Sequence, residues 1–306
     1  MTRMPRLATA GLILTAVGIT ASIPPARAQV FRSGIDLVSV DVSVKSGNRV
    51  VTGLTAADFR LYDNGVLQQV EAVAIEDVPI DVTIFHDTSV SQSARVDSLK
   101  RDIITVAGLL RPGDRIRLLT FDDQVQDAFG WQPAGSKPDV SRVKMGRISP
   151  VYDALFAALL HKPETGRRHM VLALTDAEDA GGVISIETLA AVADRSEAVL
   201  HLVSLDEART QEGLRGVIRQ WNPTRAARTE VQMVEKIVPH TGGVVHDEPI
   251  FRNHVVSSFK KAFDDFRQSY VLRYSAKGVA RGGWHELKVD VAKPGTYTVR
   301  ARRGYR

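Results

Sequence analysis

The sequence contains no cysteine. Disulfides, thiolate metal sites and a lipid-modified N-terminal cysteine are all excluded. An exported chain can still dispense with disulfides if its core is large enough. Several catalytic signatures are missing too. The chain has no Walker P-loop, no dinucleotide glycine fingerprint, no G-x-S-x-G nucleophile turn and no H-E-x-x-H zinc helix. It has no repeats and no low-complexity tract.

A strong charge bias is also lacking. The formal net charge is +5, but Arg3, Arg6 and Arg27 fall in a leading segment with no acidic residue. Without them the balance is nearly even, and no nucleic-acid partner is expected. The short runs Arg167-Arg168 and Arg302-Arg303 read as solvated surface. With 44% hydrophobic and 25% charged residues, the composition is that of a globular protein. A length of 306 residues suggests two compact units.

Residues 1–28 read as a secretory signal peptide. Arg3 and Arg6 form the basic start, an apolar stretch runs from Leu7 to Ile23, and Ala26-Arg27-Ala28 is a cleavage pattern. The stretch falls short of the ~20 residues of a spanning helix. Export to the periplasm or beyond is expected, with no membrane span left after cleavage.

Residues 29–79 are rich in strands and turns. Val38, Val40, Val42 and Val44 alternate with Ser39, Asp41, Ser43 and Lys45, the period of a half-buried strand. Asp63-Asn64-Gly65 is a hairpin turn, with Val66 to Ile75 as the returning strand. Residues 80–267 change character. Ile80 to Phe85 reads as an apolar strand, followed by helical spacing at Val96, Leu99, Ile103, Val106 and Leu110. Further strands are expected at Ile116–Phe121, Met170–Leu174 and Val199–Leu205. Helices are expected from Pro150 with Ser149 as N-cap, over Ser185–Glu197, before Gly242-Gly243, and over Pro249–Arg267. Asp206–Arg228 reads as a surface excursion. Residues 268–306 return to alternation at Tyr270, Leu272, Tyr274, Leu287, Val289 and Val291. The expected fold is α/β: a doubly wound, mainly parallel sheet, with a β-sandwich built from residues 29–79 and 268–306. Neither β segment is large enough to bury a core alone.

The first α/β strand ends in Asp87-Thr88-Ser89-Val90-Ser91, the pattern D-x-S-x-S. Loops at the carboxyl ends of parallel strands form the binding crevice. Ser149, before Tyr152-Asp153-Ala154-Leu155, and Asp176, in Leu174-Thr175-Asp176, reach the same rim. Asp87, Ser89, Ser91, Ser149 and Asp176 form an all-oxygen set, the chemistry preferred by Mg²⁺ and, with looser geometry, Mn²⁺ or Ca²⁺. Two carboxylates leave such a site nearly neutral, so a partner's Asp or Glu can complete the shell. Glu178 and Asp179 read as solvated. His240, His246 and His254 lack zinc-site spacing.

These motifs resemble the metal-ion-dependent adhesion site of von Willebrand factor type A domains. The opening Leu37 to Val42, Gly53-Leu54-Thr55, Asp58-Phe59, Thr241-Gly242-Gly243 and Arg300 to Tyr305 resemble the VWFA-related domain proteins catalogued in Acidobacteria. The resemblance implies that Ser89, Ser91 and Ser149 bind the cation through their hydroxyls, with Asp87 and Asp176 acting directly or through water. It also implies a non-catalytic protein whose partner presents an acidic side chain. Ser149 stands where such domains usually carry threonine, and Ala177 where they carry glycine. Val90 and Gln92 replace glycine and methionine, and His86 is unusual beside Asp87. One alternative is a metal-independent scaffold in an envelope complex. A hydrolase is less expected: a haloacid-dehalogenase phosphatase needs D-x-D, and Ser89 fills the second position.

Overall fold

The computed structural model describes residues 37–74, 78–88, 96–121, 124–177, 179–204, 232–246 and 254–306. The expected signal segment, the expected excursion Asp206–Arg228 and the first part of the expected last helix lie outside these. Residues 36–306 form one compact unit.

At its centre is a six-stranded sheet in the order β11-β10-β9-β6-β7-β8. Its members are β6 (Ile80–Asp87), β7 (Arg115–Phe121), β8 (Val125–Pro133), β9 (Arg168–Thr175), β10 (Ala198–Ser204) and β11 (Val245–His246). All neighbours are parallel except β8, which runs antiparallel to β7 at the edge. Every residue of β6 and β9 is buried, as central strands covered on both faces must be. Alternation along β6 sends Ile80, Val82 and Ile84 to one face and Phe85 to the other. The first face packs on α1 (Val96–Ala107) and the last helix, α5 (His254–Arg267). The second packs on α2 (Val151–Leu159), α3 (Ile186–Ala193) and the short helix α4 over 232–237.

The sequence expectation holds for the α/β layers, with local corrections. The edge strand β8 was not anticipated: it lacks a sustained apolar alternation and carries the helix-neutral run Val125-Gln126-Asp127. The helix at Ser185 ends at Ala193, four residues before Glu197. Ser185 is its N-cap, with the hydroxyl accepting the Thr188 N–H. Leu110 falls beyond α1 but packs on the same core. Gly243 has a steric reason: a Cβ there would lie 1.6 Å from the Leu200 carbonyl oxygen.

Two antiparallel sheets stand beside the α/β layers. One joins β1 (Leu37–Ser46), β2 (Arg49–Val50), β5 (Ala72–Ala74), β12 (Tyr270–Ser275) and β14 (Thr298–Ala301). The other joins β3 (Phe59–Asp63), β4 (Val66–Gln68), β13 (His285–Val291) and β15 (Gly304–Tyr305). Strands from both ends of the chain interleave: β1 lies between β12 and β14, and β3 pairs with β13. One core holds the sheets together: Val40, Val42 and Val44 of β1 and Tyr270 and Tyr274 of the neighbouring β12 share it with Leu61 of the other sheet. Asp63 is buried in that core. It accepts hydroxyl bonds from Tyr274 at 2.8 Å and Tyr305 at 2.7 Å, and its other oxygen lies 2.8 Å from His285 Nδ1. Asn64 and Gly65 take the positive φ of the expected hairpin turn. The strand expected from Val66 to Ile75 instead divides, since β4 pairs with β3 and β5 crosses to β12.

Arg167 and Arg168 are not solvated surface. Arg167 bonds the buried Asp81 through Nε at 2.6 Å. Arg168 is 5% exposed and reaches Asp41 in β1, the Phe266 carbonyl and Ser269. The first strand of the sandwich is thereby tied to the α/β sheet.

Candidate functional site

The chain leaves β6 for β7 on one side, and β9 lies on the other. The carboxyl ends of β6 and β9 therefore flank the topological switch point, where open α/β sheets bind ligands. Asp87 ends β6 there. Thr175 ends β9, and Asp176 follows it directly.

Asp87 is fully buried. Its Oδ2 accepts a hydrogen bond from the Ser149 hydroxyl at 3.0 Å and another from the Thr175 hydroxyl at 3.0 Å. Thr175 Oγ1 in turn accepts the Ala177 N–H at 3.0 Å. The loop after β9 is thus fastened to the same carboxylate. Thr88 is locked to the neighbouring strand: its hydroxyl and its N–H both donate to the Phe121 carbonyl, at 2.8 and 3.1 Å.

Ser149 was expected to cap α2, and its side chain does not. Pro150 is the N-cap, and no side chain bonds there. The Ser149 hydroxyl is committed to Asp87 instead, and the Ser149 carbonyl accepts the Ala180 N–H at 2.7 Å in an isolated bridge. The free end of α2 is served from outside. Asp179 accepts the Tyr152 N–H at 2.9 Å, so this residue is not a merely solvated one. A carboxylate there also complements the positive end of the helix dipole. Asp153, one residue on, accepts the Ile184 N–H at 2.7 Å. The entry to α2 and the loop after β9 are therefore one hydrogen-bonded assembly.

Of the five residues predicted from sequence, the structure brings together Asp87 and Ser149, with Asp176 next to Thr175 on the adjoining strand end. Asp176 is partly exposed. Ser89 and Ser91 lie outside the described residues. Thr175 was missed as a contributor. The signal was the Leu174-Thr175-Asp176 motif itself, where only the carboxylate drew attention. Ala177 carries φ +62° and is 1% exposed, so the residue standing in place of glycine does adopt the left-handed conformation that glycine favours.

The donor chemistry fits a hard cation. Among the described residues no three His, Asp or Glu side chains converge, so a nitrogen-rich zinc site is not offered here. Carboxylate and hydroxyl oxygens are what the crevice presents. A hydroxyl that donates its proton to Asp87 still keeps lone pairs for another acceptor role.

No protein-family model and no curated protein matches the sequence. Solved structures do. The structure is similar to von Willebrand factor type A from Catenulispora acidiphila, with 11% identity, a TM-score of 0.46, and coverage of 89% of this chain and 74% of that one. It is similar to the ArnB paralog VWA2 from Sulfolobus acidocaldarius, with 12% identity, a TM-score of 0.44 and coverage of 72% and 54%. It is also similar to proximal thread matrix protein 1 from the mussel byssus with a zinc-occupied MIDAS motif, with 15% identity, a TM-score of 0.46 and coverage of 68% and 50%. The chain spans about half the length of the last two. At such identities and TM-scores the likeness decides nothing about function, which rests on the crevice itself.

Proposed function

We propose that the chain is an exported, non-catalytic binding protein that captures an acidic side chain of a partner protein through one divalent cation. The carrying observation is the buried Asp87 at the switch point, with the Ser149 hydroxyl 3.0 Å from it. Asp87 and Asp176 supply the anionic oxygens, and Ser89, Ser91 and Ser149 the neutral ones. When bound, Mg²⁺, Mn²⁺ or Ca²⁺ supplies an electrophilic position for a carboxylate. The protein's own part is to hold these oxygens in place. Thr175 and Ser149 fix the Asp87 carboxylate, and the Asp179 bond to Tyr152 fixes the helix that Ser149 precedes. The loop after β9 shapes the rim against which a partner docks. The D-x-D of an aspartyl phosphatase is lacking, because Ser89 fills its second position, so hydrolysis is the less favoured reading.

A second reading has its own observation. Asp87 Oδ2 is already satisfied by two hydroxyl donors, which suits a metal-independent scaffold of an envelope complex. One experiment separates the two. The purified protein is offered peptides randomised around a central Asp or Glu, with Mg²⁺ and with chelator. Enrichment that needs Mg²⁺ and is lost in Asp87→Ala supports capture through the cation. Enrichment that ignores both the chelator and the substitution contradicts it and favours the scaffold.

A further inference from the structure

A cleft of about 250 Å³ opens at the other end of the α/β sheet, where β9 and β10 begin and the sandwich packs against them. The eight residues of β9 span roughly 25 Å at ~3.3 Å per residue, so this cleft is distinct from the Asp87 crevice.

Its charges do not cancel. Arg167, Arg168 and Lys162 line it, and each has a partner: Arg167 bonds Asp81, Arg168 bonds Asp41, and Lys162 lies 3.5 Å from Glu197. Glu164, also in the lining, is taken by Arg115 at 2.9 Å. Arg273 and Arg302 remain. Both meet at Ser39: Arg273 is its register partner across the β1–β12 ladder, and Arg302 donates from Nη2 to the Ser39 carbonyl at 2.8 Å. Among the described residues the buried Arg302 Nε–H has no acceptor. Among the described residues the Arg273 guanidinium forms no hydrogen bond or ion pair. Burial holds the Arg302 guanidinium below its usual range, opposed by Glu197 and Asp41. A buried donor without an acceptor is rare and calls for an explanation, and a guanidinium fork matches the oxygens of a carboxylate or phosphate.

We propose that this cleft binds a small organic dianion, a dicarboxylate or a phosphorylated compound, anchored by Arg273 and Arg302. The volume excludes a large ligand, because drug-sized sites begin near 300 Å³. Two forks on one wall favour a ligand with two negative charges over a single carboxylate. Asp41 and Glu197 also act on Arg302, but each has a further cation beside it, Arg168 and Lys162, so the lining stays net positive.

The test is calorimetric titration of the purified protein with succinate and with inorganic phosphate, at about 0.15 M NaCl to screen surface attraction. Arg273→Ala and Arg302→Gln are titrated beside it, each checked for a cooperative thermal transition. The expected result is saturable binding of one probe, weakened tenfold or more by Arg273→Ala. Preference for succinate assigns the carboxylate source, and preference for phosphate the phosphorylated one. Arg302→Gln carries the same expectation if it folds; Arg273→Ala decides the matter alone if it does not. Folded Asp87→Asn keeps the anion binding, so failure of the cation reading leaves this site untouched. No saturable binding of either probe, or binding indifferent to Arg273→Ala, overturns the proposal.

Discussion

Ser149 gives its hydroxyl proton to Asp87 Oδ2 at 3.0 Å, across 62 positions of sequence. This bond joins the residue before α2 to the end of the first α/β strand, and it sets the spacing of two proposed cation oxygens. Ser149→Ala removes both a ligand oxygen and the restraint on Asp87. The expected loss in cation affinity is about 10- to 100-fold, the usual effect of removing a group that orients a metal ligand. Ser149→Thr keeps the hydroxyl and most of the affinity. Titration of both variants checks this, and equal affinity for Ser149→Ala and wild type contradicts it.

Arg168 ties the sandwich to the α/β sheet through Asp41, the Phe266 carbonyl and Ser269. Arg168→Ala takes the guanidinium from the Asp41 carboxylate, while the Phe266 carbonyl keeps the Ser269 hydroxyl and N–H. Removing one member of a largely buried pair costs about 3 kcal/mol or more. Urea unfolding should report that loss. A change below ~1 kcal/mol would mean that water replaces the guanidinium.

Two buried histidines predict the acid response. Desolvation first, then the neighbouring His161 and Arg117, lowers His169 to about 3. Desolvation first, then His246, Lys45 and Arg300, lowers His201 to about 3. In the unfolded chain both take a proton near the ordinary histidine value of about 6.5. Between that value and about 3 the unfolded state binds protons that the folded state refuses. Their contribution is therefore complete above the ordinary histidine range and is lost as pH falls towards 3. The slope is roughly 1.4 kcal/mol per pH unit for each group, as an order of magnitude. Urea midpoints between about pH 7 and pH 5 should fall accordingly, and His201→Gln should flatten the slope.

The interleaving of β1 with β12 and β14 makes the two ends of the chain interdependent. Deleting residues 268–306 exposes Val40, Val42 and Val44 and strips β12 and β14 from β1, leaving only the short pairing with β2. The expected result is loss of protection of residues 37–74 in limited proteolysis. Continued protection would show that the N-terminal strands fold without their partners.

Much of the layer order was legible because central strands and amphipathic helices repeat at fixed periods. Val82, Ile84 and Phe85 announce a doubly buried strand, and Val96, Leu99, Ile103 and Val106 a helix face. What periodicity does not carry is long-range pairing. Nothing local in Ala72–Ala74 says that it leaves β3 and joins β12. The edge strand β8 carries a register irregularity near Leu118 and a weak apolar pattern. At the crevice, Asp87 and Ser149 were legible as a motif, but the direction of the Ser149 hydroxyl was not. A serine before a proline and a helix reads locally as a cap, and only the fold brings the competing carboxylate within reach. Arg168 misled for the same reason, since its partners lie 98 to 127 positions away.

The central claim is that Asp87, Ser89, Ser91, Ser149 and Asp176 hold one divalent cation. Its most direct test is calorimetric titration of the metal-free protein, residues 29–306, with Mg²⁺, Mn²⁺ and Ca²⁺ beside a folded Asp87→Ala control. The account predicts saturable binding of one ion per chain that disappears in the control. Absence of binding for all three ions, or undiminished binding by Asp87→Ala, would contradict it.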